Sequence, residues 1–182
     1  MSIRSTSLPR LSNAFGKPLA TDTVDVGALA RRLFDALESR GATVAVAESC
    51  TGGMLGAALT DLAGSSAFFV GGVIAYSNAA KQAVLGVARA TIDGAGAVSE
   101  QCVLEMAAAV RQRFGADVGI AVSGIAGPGG GTDAKPVGTV WVAVATNDRS
   151  AAEHRVHPGR RSEVRERAVV QALTLALEYA SG

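Results

Sequence analysis

Thr43-Val44-Ala45-Val46-Ala47-Glu48-Ser49-Cys50-Thr51-Gly52-Gly53 is the stretch that decides how this chain folds. Its first five residues are small or β-branched with no polar alternation, the pattern of a short strand covered on both faces. Ser49 to Gly53 read as a turn, and Met54, Leu55, Ala58, Leu59 and Leu62 then recur at helical spacing until Gly64. Upstream, Val26, Leu29, Leu33, Phe34 and Leu37 predict a helix capped by Asp22 or Thr23 and ended by Gly41. Downstream the alternation continues. Val73 to Tyr76 read as a second strand, followed by a short helix around Ala79–Val84. Ser99 caps a helix with Val103, Met106, Ala107, Val110 and Phe114 on one face, ended by Gly115. Val118–Ser123 and Thr139–Ala145 are a third and a fourth strand, separated by the glycine-rich loop Gly124–Gly138. Glu153–His157, less apolar, reads as a fifth strand nearer an edge. Ser162 caps a last helix whose buried stripe is Val164, Ala168, Ala172, Leu175 and Tyr179. Helices and buried strands that alternate imply α/β layers with helices on both faces. No internal repeat or second core is visible.

The composition bounds the function. The 182 residues make one domain's worth of chain, with 48% hydrophobic and 18% charged residues, a globular rather than a disordered balance. Glycine, at 22 residues, is well above the usual share and lacks collagen spacing. Seventeen basic against 16 acidic residues leave a net charge of +1, so there is no whole-chain electrostatic footprint for nucleic acid or an anionic membrane. One Trp, two Tyr and five Phe are too few for base-stacking platforms. No apolar run is long enough to span a bilayer. Cys50 and Cys102 have neither C-x-x-C spacing nor a histidine cluster, which argues against a disulfide framework and structural zinc and for a reducing cytoplasm. The start of the chain lacks the apolar core of a secretory signal. Residues 1–22 read as a flexible extension rich in Ser, Thr and Pro, and 23–182 as the single domain.

Three turns that follow strands are candidates for chemistry. Glu48-Ser49-Cys50-Thr51-Gly52-Gly53 puts hydroxyls and N–H groups where ligands bind such sheets, and its glycines let a substrate approach the backbone. It is equally the composition of an ordinary capped helix start. Tyr76-Ser77-Asn78-Ala79-Ala80-Lys81 places Tyr76 and Lys81 five apart across a turn, so both could face one cleft. A desolvated lysine beside a serine can serve as its base, while a solvated surface lysine is the plainer reading. Ser123-Gly124-Ile125-Ala126-Gly127-Pro128-Gly129-Gly130-Gly131-Thr132 can form an anion nest of successive N–H groups, or be merely permissive. Arg160, Arg161 and Arg165 oppose the last helix's dipole, which suggests solvent or an anionic ligand. His154 and His157 lack metal-ligand spacing. Neither a Rossmann G-x-G-x-x-G nor a Walker G-x-x-x-x-G-K-[ST] occurs.

Six ordered motifs then carry a resemblance: Ala47 to Gly53, Asp61-Leu62-Ala63-Gly64-Ser65-Ser66, Tyr76 to Lys81, Gly96-Ala97-Val98-Ser99-Glu100, Ser123 to Pro128, and Lys135-Pro136-Val137-Gly138-Thr139-Val140. Together they resemble the CinA C-terminal domain family over roughly residues 24–180. The resemblance implies a three-layer α/β/α sandwich around a mixed, mostly parallel sheet of about five strands. Members without the larger amino-terminal domain are nicotinamide-nucleotide amidohydrolases, so it also implies hydrolysis of nicotinamide mononucleotide (NMN) to nicotinic acid mononucleotide and ammonia, with no cofactor and no metal. Ser49 would be the nucleophile and Lys81 its base, with Tyr76 assisting. Thr51, Gly52, Gly53, Asn78, Ser123, Gly124, Ala126, Gly127 and Arg161 would bind the substrate. The partner expected is a small-molecule nucleotide, with room for a homo-oligomer. The loop departs from the family at Gly129, where a polar residue often follows the proline.

Two other readings compete. A non-catalytic nucleotide-binding module would use the same turns without releasing ammonia. A cysteine hydrolase would use Cys50, the intrinsically better nucleophile, but a thiolate usually needs a histidine, and neither His154 nor His157 lies at a strand-end turn.

Overall fold

The computed structural model describes residues 24–180. The proposed extension 1–22 and the caps Asp22 and Thr23 lie outside these residues. In chain order the elements are α1 (Val26–Glu38), β1 (Val44–Glu48), α2 (Met54–Thr60), a single 3-10 turn at Ser65–Ala67, β2 (Phe69–Ile74), α3 (Asn78–Leu85), α4 (Arg89–Gly94), α5 (Glu100–Phe114), β3 (Val118–Gly124), β4 (Thr139–Ala145), β5 (Ser150–Val156) and α6 (Arg161–Ala180).

One five-stranded sheet runs in the order β2-β1-β3-β4-β5. β1 pairs in parallel with β2 and β3, whereas β3–β4 and β4–β5 are antiparallel. The sheet is mixed and mostly parallel in strand direction, as expected: β1, β2, β3 and β5 run one way and β4 runs against them. The reason lies in the connections. Parallel neighbours need a crossover helix, and α2 and α5 supply them; β3 reaches β4 through the glycine loop and β4 reaches β5 through a short turn, so both return antiparallel.

The strands' alternation sorts the core into two unlike layers. Val44, Val46, Ile120 and Val122 face α1, α2 and α6, where Leu29, Leu33, Leu37, Leu55, Ala168, Ala172 and Leu173 are buried. Ala45, Ala47, Ala121 and Ala143 face the other way, toward Val103, Met106 and Val110 of α5. Small residues let α5 lie close against the sheet: a Cβ added at Gly119 would stand 2.1 Å from the Ala107 carbonyl oxygen.

Several boundaries differ from the sequence reading. Asp25 caps α1, its carboxylate accepting from the N–H groups of Gly27 and Ala28. β2 begins at Phe69, not Val73, because Gly71-Gly72, a breaker on paper, is demanded by packing. A Cβ at Gly72 would meet Val46 Cγ2 at 2.6 Å, and one at Gly71 would meet Phe114 at 2.5 Å. β2 ends at Ile74 and leaves Tyr76 beyond it. α4 has no apolar period long enough to announce itself. β5 starts at Ser150, and α6 starts at Arg161, which places Ser162 inside its first turn rather than at its cap. Among the described residues, no helix is long and apolar enough to cross a membrane.

Candidate active site

Glu48 is in register with Ile74 of β2 and Val122 of β3, so β1 and β2 end level with each other and β3 runs two residues further, to Gly124. Their C-terminal edge gathers Ser49, the segment from Ala75 to Lys81, and the Ser123–Gly130 loop. The sharp exit from β1 needs Gly52 and Gly53, both at positive φ (59° and 98°), to turn the chain back into α2.

Lys81 lies in the first turns of α3, whose start is capped by Ser77 Oγ. It is only 2% exposed. Its Nζ donates to Ser49 Oγ at 2.9 Å and to the Ala75 carbonyl at 3.0 Å. No carboxylate offsets the buried charge in these contacts, and desolvation lowers the Lys81 pKa from its ordinary value. A neutral amine can accept the Ser49 proton along the same contact while still donating to Ala75. The pairing therefore has the geometry and the electrostatics of a nucleophile with its base.

Ser49 opens onto a cavity of about 240 Å³, also bordered by Cys50, Tyr76, Gly124, Ala126, Gly127 and Arg161. Tyr76 stands at the rim, 58% exposed. Arg161, from the start of α6, spans the mouth: one guanidinium nitrogen donates to Tyr76 Oη at 2.7 Å and another to the Gly127 carbonyl at 2.8 Å. Ser49, Tyr76, Gly124, Ala126, Gly127 and Arg161 are thus brought together around the cavity, with Lys81 buried against Ser49.

Other expected site residues are placed elsewhere. Thr51 is fully buried and its Oγ1 has no hydrogen-bond partner among the described residues. Gly52, Gly53 and Asn78 do not border the cavity. The Ser123 hydroxyl is 1% exposed and donates to the Ala97 carbonyl at 2.7 Å. Burial pushes the Cys50 thiol up to about 11, so its thiolate is scarce at neutral pH and Cys50 is a poor candidate nucleophile.

The N–H groups at the start of α2 are not free, contrary to the sequence reading. The Glu48 carboxylate, 1% exposed, accepts from Gly53, Leu55 and Gly56 at 2.8–3.1 Å. Arg165, half-buried, is engaged with the backbone: it donates to the carbonyls of Cys50 (3.0 Å) and Thr51 (2.7 Å). Lys135 ties the glycine loop to the carbonyls of Ala95 and Val98. The sequence reading did not assign these three roles. Glu48 carried the only available signal, a lone carboxylate in an otherwise apolar strand.

A larger cavity of about 440 Å³ lies at the other end of the sheet, near the starts of β1 and β3. Its arginines are engaged with the last turn of α6, Arg40 with the Ala180 carbonyl and Arg149 with that of Tyr179, and Asp117 accepts from Thr43. It holds no paired nucleophile and base.

Known proteins share this architecture. A CinA-like protein of Mycolicibacterium gilvum is 54% identical over 143 residues, 78% of this chain but 34% of its own length, so the chain spans about a third of such relatives. A protein named nicotinamide-nucleotide amidohydrolase PncC, from Enterobacter agglomerans, is 49% identical over 156 residues, covering 85% of this chain and 91% of that protein. The crystal structure of a competence-damaged protein (CinA) superfamily protein from Klebsiella pneumoniae superposes with a TM-score of 0.83 at 39% identity, over 86% of this chain and 98% of that one. The family model of the CinA C-terminal domain matches residues 26–180, every element from α1 to α6 inclusive, and the chain belongs to that family.

Proposed function

We propose that this chain is an amidohydrolase that converts NMN to nicotinic acid mononucleotide and ammonia, with Ser49 as nucleophile and Lys81 as general base. The observation that carries the reading is the 2.9 Å contact between Lys81 Nζ and Ser49 Oγ, both groups buried, at the floor of a cavity. The PncC relative, matched over nearly its whole length, supports the substrate class.

The chemistry follows from the contact. Ser49 Oγ attacks the carboxamide carbon as its proton passes to Lys81 Nζ. The tetrahedral intermediate collapses by breaking the C–N bond, and the Lys81 ammonium returns the proton to the leaving nitrogen, so ammonia departs. Water, deprotonated by Lys81, then attacks the Ser49 ester; the C–Oγ bond breaks, Lys81 passes the proton to Ser49 Oγ, and the carboxylate is freed. With the α2 N–H groups taken by Glu48, the oxyanion is left to the N–H of Cys50, which follows Ser49 at the cavity and has no backbone acceptor among the described residues. Arg161 and the 124–130 loop receive the nucleotide's phosphate, and Arg161 releases Gly127 or Tyr76 to do so. In this reading residues 23–182 act as one cytoplasmic domain on a small-molecule substrate.

A coupled ammonia assay with NMN tests the function. Stoichiometric ammonia and nicotinic acid mononucleotide are expected. A rise in melting temperature with NMN and no ammonia would instead make the chain a binding module. Nicotinamide riboside, which lacks the phosphate, should be turned over with kcat/KM lower by roughly 10²–10⁴, the worth of two charge-assisted hydrogen bonds. Equal turnover of the riboside would remove Arg161 and the loop from phosphate binding.

A further inference from the structure

We infer that Glu48 and Arg165 form a two-sided clamp that positions Ser49, and that Arg165 is not a substrate-binding residue. The inference rests on Ser49 being the nucleophile.

The turn from Ser49 to Gly53 makes few bonds of its own, Gly52 N–H to the Ser49 carbonyl and Met54 N–H to the Thr51 carbonyl, and side chains bond further backbone groups of the turn and of the first turn of α2. Glu48 takes the donors: one carboxylate oxygen accepts from Gly53 (2.9 Å) and Leu55 (3.1 Å), the other from Gly56 (2.8 Å). Glu48 is itself fixed by β1, since its carbonyl accepts from the Ala75 N–H and Ser49 N–H donates to Val122. The side chain therefore closes a ring from the end of the strand to the start of α2, with Ser49 inside it. Arg165 takes the acceptors from the opposite side, bonding the carbonyls of the two residues after the nucleophile. It reaches them from the second turn of α6, and so couples the turn to a helix packed against α1 and the sheet. Two groups of opposite charge hold one short turn, each at backbone atoms of the sign it complements. Neither borders the cavity.

The function of such a clamp is precision. A turn that contains two positive-φ glycines has many conformers open to it, and a misplacement of about 1 Å at a reacting atom can cost on the order of 10²-fold in rate. Arg165 sits only one helical turn from Arg161, which faces the mouth, so the two arginines of one helix are assigned different tasks: Arg161 to the substrate and Arg165 to the backbone.

The test uses the full chain and two readouts. One is the rate at which a fluorophosphonate labels Ser49, with the site identified by peptide mass. The other is kcat and KM for NMN. Arg165→Met keeps the apolar stem and removes the guanidinium. It should label at least tenfold more slowly and lose 10- to 100-fold in kcat, with KM changed less than threefold, and guanidinium ion at millimolar concentration should restore part of both rates. Glu48→Gln turns an amide N–H toward a backbone N–H and should show the same split in whatever fraction folds. Wild-type labelling and kcat in Arg165→Met would overturn the clamp and leave the Ser49 reading intact. A tenfold rise in KM with kcat unchanged would make Arg165 a substrate ligand and also overturn it. Absence of Ser49 labelling in the wild-type protein, with NMN hydrolysed, would overturn the choice of nucleophile and the clamp with it.

Discussion

Ser49 and Ser123 occupy equivalent positions, at the C-terminal ends of two adjacent parallel strands, and both are nearly buried. Their hydroxyls are used in opposite ways. Ser49 Oγ receives a hydrogen bond from Lys81 Nζ, so its own proton is not committed to a carbonyl. Ser123 Oγ donates its proton to the Ala97 carbonyl and thereby fastens the segment between α4 and α5 to the sheet. The same side chain, at the same place in the same kind of strand, becomes a candidate nucleophile or a tether according to its partner. Position at a strand end selects candidates, and the partner decides among them.

The comparison can be broken at four points. Ser49→Ala should lower kcat by about 10³ or more, as for other serine nucleophiles, with little change in melting temperature; a tenfold loss or less would return Ser49 to the level of Ser123. Lys81→Arg should lose roughly 10²–10⁴-fold, the usual weight of a general base, because a guanidinium stays protonated and cannot accept the serine's proton. The companion measurement is a pH–rate profile. Desolvation favours the neutral amine, so kcat/KM should rise with pH along a limb that ends below the free-lysine value of about 10.4. A limb at or above that value would mean that Lys81 is not the base. Ser123→Ala should act mainly on stability, costing about 1–3 kcal/mol in a denaturant titration for the unpaired Ala97 carbonyl, with kcat lowered less than tenfold. Cys50→Ala should do least to kcat, again less than tenfold; a larger loss with Ser49→Ala still active would hand the chemistry to the thiol.

The layers, and the three turns at one sheet edge, were legible because each strand is a run of small or β-branched residues and each long helix has an apolar stripe and a stop. Lys81 was legible as a candidate because it follows a strand end by one turn, and its depth of burial was not, since nothing local distinguishes it from a solvated lysine. Tyr76 and Lys81 were expected to share a cleft; they part at the end of β2, the phenol to the rim and the amine inward beneath Ser49. The β2 boundary was hidden because Gly71 and Gly72 reflect contacts with Phe114 and Val46, partners 43 and 26 positions away. Arg165 was unreadable for the same reason: its carbonyl partners lie 115 and 114 residues earlier. The dipole argument correctly marked Arg160, Arg161 and Arg165 as unusual, yet it could not say that two of them bond to backbone.

The burial of Lys81 also bears on how stable this protein can be. A lysine held below its ordinary pKa in the folded chain regains the ordinary value when the chain unfolds. Between those two values the unfolded state binds more protons, so folding stability climbs with pH across that window and is lower, and level, beneath it. Near neutrality the fold therefore carries a standing handicap at this position. Lys81→Met, which fills similar space without a charge, should raise the melting temperature in the same stroke that abolishes turnover. A rise in melting temperature without loss of turnover would show that the buried amine is a cost to stability that the proposed chemistry does not require.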